Sequence, residues 1–374
     1  MSQVDFASLA AAPIRALRAY DPGHDLVALR RQHAPLPLVE LGSNENSYGP
    51  SPAVVAALQS ALPELYRYPD PLGGDLKRAL GRLHGVEPRQ IVLGNGSHEL
   101  LMQAAQVFAG PGDEVLMSQY GFAVYAIAAM AVGATVVQGA SLPAEGPMPL
   151  GHDLGAIATR ISPATRLVYL CNPNNPTGTW FRPAALEAFL GHLPQHAVLV
   201  VDEAYAEYAD DAGYASALPL LPSHPRMLVM RTFSKAYGLA GIRVGYAVGH
   251  PELVGMFERV RESFNVSLPS LVAAEAALGD QPHVAAVRQR NATERDWLAG
   301  ELRARGFPTA DSQTNFLLTR FGPDCAAIEA DLLRQRVVLR PMAGYGLPEY
   351  LRITIGRRDE NRALLAALDG KEAC

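Results

Sequence analysis

Three cysteines in 374 residues, Cys171, Cys325 and Cys374, are too few and too widely spaced for a disulfide framework or a zinc site. They fit a reducing compartment. No run approaches the roughly 20 uninterrupted apolar residues that span a bilayer, and the opening "MSQVDFASLAAAPIRALRAYDPG" lacks the basic-then-apolar order of a secretory signal. The expectation is a soluble, cytoplasmic protein without a membrane partner. Basic runs are also missing, and 32 Lys and Arg against 37 Asp and Glu leave a net charge of −5, which argues against a nucleic-acid surface. Small molecules are the expected ligands. No internal repeat or low-complexity tract is present.

What is there is apolar bulk: 49% hydrophobic residues in a chain long enough for a large core and more than one compact domain. Residues 1–45, rich in proline, read as an arm that joins the smaller domain. From residue 46 to 268, short β-branched runs ("RQIVLGNGS", "DEVLMSQY", "ATVVQGA", "TRLVYLCNP", "HAVLVVDEAY", "PRMLVMRTFS", "RVGYAVG") alternate with helical spacing such as "SPAVVAALQSAL". That pattern predicts an α/β fold, a mostly parallel sheet with helices on both faces. Residues 269–374 change texture: a long helical region at 271–305, strands in "TNFLLTR", "VVLRPMAG" and "YLRITIG", and a closing helix at 358–369 predict a smaller α+β domain.

Polar residues gather at the carboxyl ends of the predicted strands, the edge at which open α/β sheets bind ligands. In "IVLGNGSHELL" a glycine turn opens a helix at Gly96, Ser97 and His98, offering free N–H groups to a phosphate; alone it is also an ordinary capped turn. "VLVVDEAYAEY" sets Asp202 and Glu203 directly after four apolar residues, with Tyr205 close behind. A carboxylate there is either a surface turn residue or a buried charge with a cationic partner. "YLCNPNNPTG" reads as a turn or as a loop that presents Asn175. "RTFSKAYGLAGIRVGY" places Ser234 and Lys235 just past a strand, with Arg243 following. A lone lysine there snorkels to solvent, or, in apolar surroundings, loses its proton and becomes a nucleophile toward carbonyl carbon. Jointly the four strand ends offer an amine for an aldehyde, a carboxylate for a pyridinium nitrogen and donors for a phosphate. Those are the groups that pyridoxal 5'-phosphate requires of a protein.

With "NPNNPTG", "VDEAY", "TFSKAYGLAGIRVGY" and "LRITIG" in this order, the chain resembles the fold-type-I pyridoxal-phosphate aminotransferases over nearly its whole length. "YRYPD", "GNGSHELL", "SQYGFAVY" and "RESFNV" make it most similar, within that family, to the histidinol-phosphate aminotransferases. The resemblance implies that Lys235 carries the cofactor and is the catalytic acid/base, that Asp202 pairs with the pyridine nitrogen, that Asn175 and Tyr205 bind the ring oxygen, and that Tyr120 stacks on the ring. It assigns the cofactor phosphate to Gly96, Ser97, His98, Ser234 and Arg243. Tyr68 would reach the site of a second subunit, which implies a homodimer. Arg352, Arg340 and the arm residue Tyr20 would bind substrate: histidinol phosphate in one half-reaction, glutamate or 2-oxoglutarate in the other. Guanidinium forks suit both phosphate and carboxylate. An aromatic amino acid such as phenylalanine or tyrosine is the alternative substrate, and a decarboxylase of phosphorylated amino acids is a third reading. Ala19, Ser47–Tyr48 and Gly121 depart from the subgroup's pattern, all near the substrate positions.

Overall fold

The computed structural model describes residues 5–370, so Cys374 lies outside the described residues. Its centre is a seven-stranded sheet built from β1 (Ile91–Gly94), β2 (Glu114–Ser118), β3 (Thr135–Gly139), β4 (Thr165–Cys171), β5 (Val198–Asp202), β6 (Met227–Thr232) and β7 (Gly245–Gly249). The spatial order is β1-β7-β6-β5-β4-β2-β3, and β7 alone runs against its neighbours.

The strands are apolar without alternation because both faces are covered. In β5, Val198 and Val200 point into one core with the helices Ser97–Phe108, Ala123–Ala131 and Pro251–Val260. Leu199 and Val201 point into the other, with Pro183–Leu190, Gly74–His84 and Leu268–Gly279. Period-two alternation thus divides one apolar run between two cores.

A second, antiparallel sheet holds β8 (Phe316–Arg320), β9 (Arg340–Pro341) and β10 (Tyr350–Thr354), with β10 central. Its apolar side chains, including Leu317, Leu351 and Ile353, pack with Leu298, Leu302 and Leu364 in a cluster of their own. Val39–Glu40 pairs in parallel with Val337–Val338 and so ties the amino-terminal segment to this region.

Two local readings change. The helix expected over 271–305 is two helices, Leu268–Gly279 and Gln281–Ala304. Pro282, in the first turn of the second helix, has no N–H with which to continue the hydrogen-bond ladder of the first helix, and the Asp280 side chain caps the new start by accepting from His283 N–H. The arm is also less irregular than its prolines suggest: it carries the helices Ala12–Ala16 and Leu26–His33, neither with a buried residue. Among the described residues no helix is long and apolar enough to cross a membrane.

Candidate active site

Sheet register assembles the site. Cys171 pairs with Asp202 across β4 and β5, so the loop after β4 that carries Asn175 lies beside the acid. Gly245 pairs with both Thr232 and Gly94, which brings together the turns that follow β6 and β1 and the segment that precedes β7. Ser234, Arg243 and Ser97, from three distant stretches of chain, therefore line one cavity of about 270 Å³ with Lys235, Asp202 and Arg352.

Asp202 is buried at 3% exposure and has no cationic partner among the described residues. Its oxygens accept from the Tyr125 hydroxyl at 2.8 Å and the Ala204 N–H at 3.1 Å. Burial pushes its pKa up to about 6 despite those two donors. Glu203, one residue on, faces the other way into an ion pair with Arg231 at 2.7 Å and is structural.

Lys235 Nζ sits 3.3 Å from the Asn44 carbonyl oxygen and 5.6 Å from the centre of the Tyr205 ring. Burial, with Arg352 nearby, depresses its pKa to about 8. A substantial neutral fraction at physiological pH makes this amine a usable nucleophile and proton acceptor.

Two anion-binding ends flank the lysine. At one, Arg243 Nη1 donates to Ser234 Oγ at 3.2 Å and to the Ala240 carbonyl at 3.0 Å, with no carboxylate on it among the described residues. Ser97 opens the helix Ser97–Phe108 and Gly96 is its N-cap at φ 79°, a conformation that favours glycine. A Cβ on Gly96 would strike the Arg243 guanidinium, and one on Gly245 would strike the Ser97 nitrogen. At the other end Arg352, 8% exposed, donates to Asn175 Oδ1 at 2.6 Å and the Gly42 carbonyl at 3.0 Å. Among the described residues its Nε has no partner and no ion pair accounts for it. Arg352 points away from the core that takes Leu351 and Ile353, and the register sets Arg340 directly opposite it. Two guanidiniums placed across a sheet pair repel, and the Asp21 carboxylate 3.7 Å from Arg340 Nη2 offsets part of that repulsion.

Most of the sequence-predicted residues meet here: Tyr20, Ser97, His98, Asn175, Asp202, Tyr205, Ser234, Lys235, Arg243 and Arg352 all line the cavity. Gly96 lies just behind, against Arg243. Arg340 instead lines an adjoining outer cleft with Asp21 and Tyr345, and its Nη2 donates to the Asp21 carbonyl at 2.6 Å. Tyr68 is not brought to the cavity: it is 82% exposed and stacks on Phe264.

Tyr120 also lines the outer cleft, whereas Phe122 lines both that cleft and the Lys235 cavity. Gly121 N–H bonds back to Ser118, and this turn sends residues two apart in different directions before the helix Ala123–Ala131 begins. The sequence reading also passed over Asn44, in "GSNENSYG", and Tyr125, whose side chain falls on the buried face of its helix.

The aminotransferase class I and II family model matches residues 37–368. The histidinol-phosphate aminotransferase 1 of Nitrosococcus oceani is 43% identical over 99% of this chain and 98% of its own length. Histidinol-phosphate aminotransferase 2 of Methylococcus capsulatus is 43% identical over 97% of this chain and 98% of its own. The crystal structure of histidinol-phosphate aminotransferase from Sinorhizobium meliloti in complex with pyridoxal-5'-phosphate superposes with a TM-score of 0.88, at 30% identity over 99% of this chain and 98% of that one. With the match covering the strand ends that build the cavity, this chain belongs to the class I and II aminotransferases.

Proposed function

We propose that the chain is a pyridoxal-phosphate-dependent transaminase that converts histidinol phosphate and 2-oxoglutarate to imidazole-acetol phosphate and glutamate. The observation that carries this reading is the placement of one lysine and one buried carboxylate between two separate anion-binding ends. One end suits the phosphate of a cofactor and the other the anion of a substrate.

The cavity fits the cofactor on its own evidence. Asp202 is a buried carboxylate without a cation, which a protonated ring nitrogen supplies. The glycines at 96 and 245 let the Arg243 guanidinium and the Ser97 N–H lie close against the backbone, which gathers the donors a phosphate needs at one end of the cavity. Ser97, His98, Ser234 and Arg243 would hold the phosphate, Asn175 and Tyr205 would donate to the ring oxygen, and Phe122 would cover the ring face. When bound, the cofactor supplies the electron sink for the carbon that loses its proton.

The protein's own groups do the rest. Lys235 Nζ would hold the cofactor and, once free as an amine, would carry the substrate's proton as acid and base. Asp202 would keep the ring nitrogen protonated. Arg352 and Tyr20 orient the substrate, and Arg340 answers it from the outer cleft. The opposed Arg340 and Arg352 favour the phosphate-bearing substrate over an aromatic amino acid, because two guanidiniums match a dianion better than one carboxylate. We further propose a homodimer in which Tyr68 of each copy completes the other copy's phosphate site, and a cytoplasmic location.

Single-turnover mixing of cofactor-loaded protein with histidinol phosphate, glutamate or phenylalanine tests the reading. The visible band of the bound cofactor should convert to that of its amine form with the first two. Conversion by phenylalanine and not by histidinol phosphate would transfer the assignment to an aromatic aminotransferase.

A further inference from the structure

Asn44 has no role in the scheme above, yet it stands between the two halves of the site. Its φ is 56°, in the left-handed region that asparagine tolerates better than most residues, and its side chain is buried. The Asn44 N–H donates to Thr354 Oγ1 at 2.9 Å, and that hydroxyl donates in turn to Asn44 Oδ1 at 3.3 Å. The amide's orientation is thereby set: Oδ1 faces Thr354, and Nδ2 donates to the Tyr205 hydroxyl oxygen at 3.0 Å.

A phenol that accepts on one side has its own proton to give on another. Among the described residues no acceptor takes the Tyr205 proton, and Tyr205 lines the Lys235 cavity. Burial raises the pKa of this hydroxyl, so the proton stays on it. The titratable groups that face it are Arg352 from β10, Lys235 beyond β6, Asp202 at the end of β5 and Cys171 at the end of β4. Asn44 also takes the Lys235 ammonium on its backbone carbonyl, which Asn315 Nδ2 shares at 3.1 Å.

We propose that Asn44 is a positioning residue: its side-chain amide, oriented by Thr354, fixes the Tyr205 hydroxyl so that the phenolic proton is donated into the cavity, to the ring oxygen of the cofactor. The inference rests on the functional reading above and assigns Asn44 a part in it. Aspartate has the same shape but offers only acceptors, so it would draw the Tyr205 proton out of the cavity. Glycine keeps the left-handed backbone and deletes the amide.

The readout is the pH midpoint at which the visible band of the cofactor-loaded protein shifts, since a hydrogen bond donated to the ring oxygen stabilises its anionic form and lowers that midpoint. Asn44→Asp should raise the midpoint by about one pH unit, and Asn44→Gly should raise it by less. In a Tyr205→Phe background Asn44→Asp should add almost nothing, because both changes remove the same donated bond. An unchanged midpoint in Asn44→Asp, or shifts that simply add in the double variant, would overturn the inference; additivity would mean a general charge effect on Lys235. Should Asn44→Asp fail to fold, Asn44→Gly decides by the same comparison. A wild-type protein that takes up no pyridoxal phosphate overturns the functional reading and this inference with it. A wild-type band with an unmoved Asn44→Asp midpoint overturns this inference alone.

Discussion

Lys235, the proposed catalytic residue, shows what a buried lysine costs a fold. Its pKa falls from 10.5 to about 8 because burial and the Arg352 guanidinium disfavour the ammonium. A base depressed in the folded state binds fewer protons there than in the unfolded chain between those two values, so its contribution to stability improves as pH rises through that window. Below about pH 8 the full penalty stands. Lys235→Met, similar in length and uncharged, should therefore make the cofactor-free protein more stable at pH 7 by roughly 1–2 kcal/mol, a figure discounted for the water that reaches the cavity. The gain should vanish above about pH 10.5. Urea denaturation of both cofactor-free proteins across pH checks it, and a constant difference would refute it. At this scale the sequence was most readable where a residue directly follows a strand: Lys235, Asp202 and Ser234 need only the strand's end to be located. Tyr120 and Phe122 are divided by a tight turn, and no periodicity indicates which of the two aromatics turns inward. Asn44 sits in an irregular segment whose partners, Tyr205 and Thr354, are 161 and 310 residues away.

Elements matter here through their ends. The proposed phosphate-binding end depends on the start of the helix Ser97–Phe108 lying against the first residue of β7, and Gly245 permits that approach. An alanine there would force its Cβ into the Ser97 nitrogen and the Gly96 carbonyl carbon. Gly245→Ala should cost about 1–3 kcal/mol of stability through overpacking and lower pyridoxal-phosphate affinity tenfold or more by displacing the helix start. Gly241→Ala is the control, since nothing lies near the Cβ it would add. Fluorescence titration of the cofactor-free proteins with pyridoxal phosphate measures the difference, and equal affinities would show that the helix start does not hold the phosphate. The strands themselves were legible because each is a short apolar run between turn signals, and two-sided burial leaves no other reading of such runs. Their spatial order was not, because it is fixed by which helix covers which face. The break at Asp280 was available in "LGDQPH", where proline follows a good capping residue, but the apolar spacing on either side masks it.

The whole molecule exposes a group of large apolar side chains between residues 62 and 72. Leu62, Leu65, Tyr66, Tyr68 and Leu72 are each more than half exposed, and Tyr68 stacks on Phe264. The proposed homodimer would cover that surface. Sharing of sites between copies makes a prediction that shape alone does not. Tyr68→Glu would set a carboxylate against the phosphate held in the other copy, silencing that copy's site, and Lys235→Ala silences its own. Each homodimer should then be inactive. In a mixed dimer, the copy that retains Lys235 meets an intact Tyr68 from the copy that lacks the lysine, so one of two sites works. Random reassociation of equal amounts gives half mixed dimers, hence about one quarter of wild-type activity. Recovery of that fraction after co-refolding, with kcat per active site unchanged, is the expected result. If the sites are not shared, Tyr68→Glu alone stays active and the mixture gains nothing beyond the sum of its parts, which would confine the active site to a single chain and leave the exposed aromatic surface to another role.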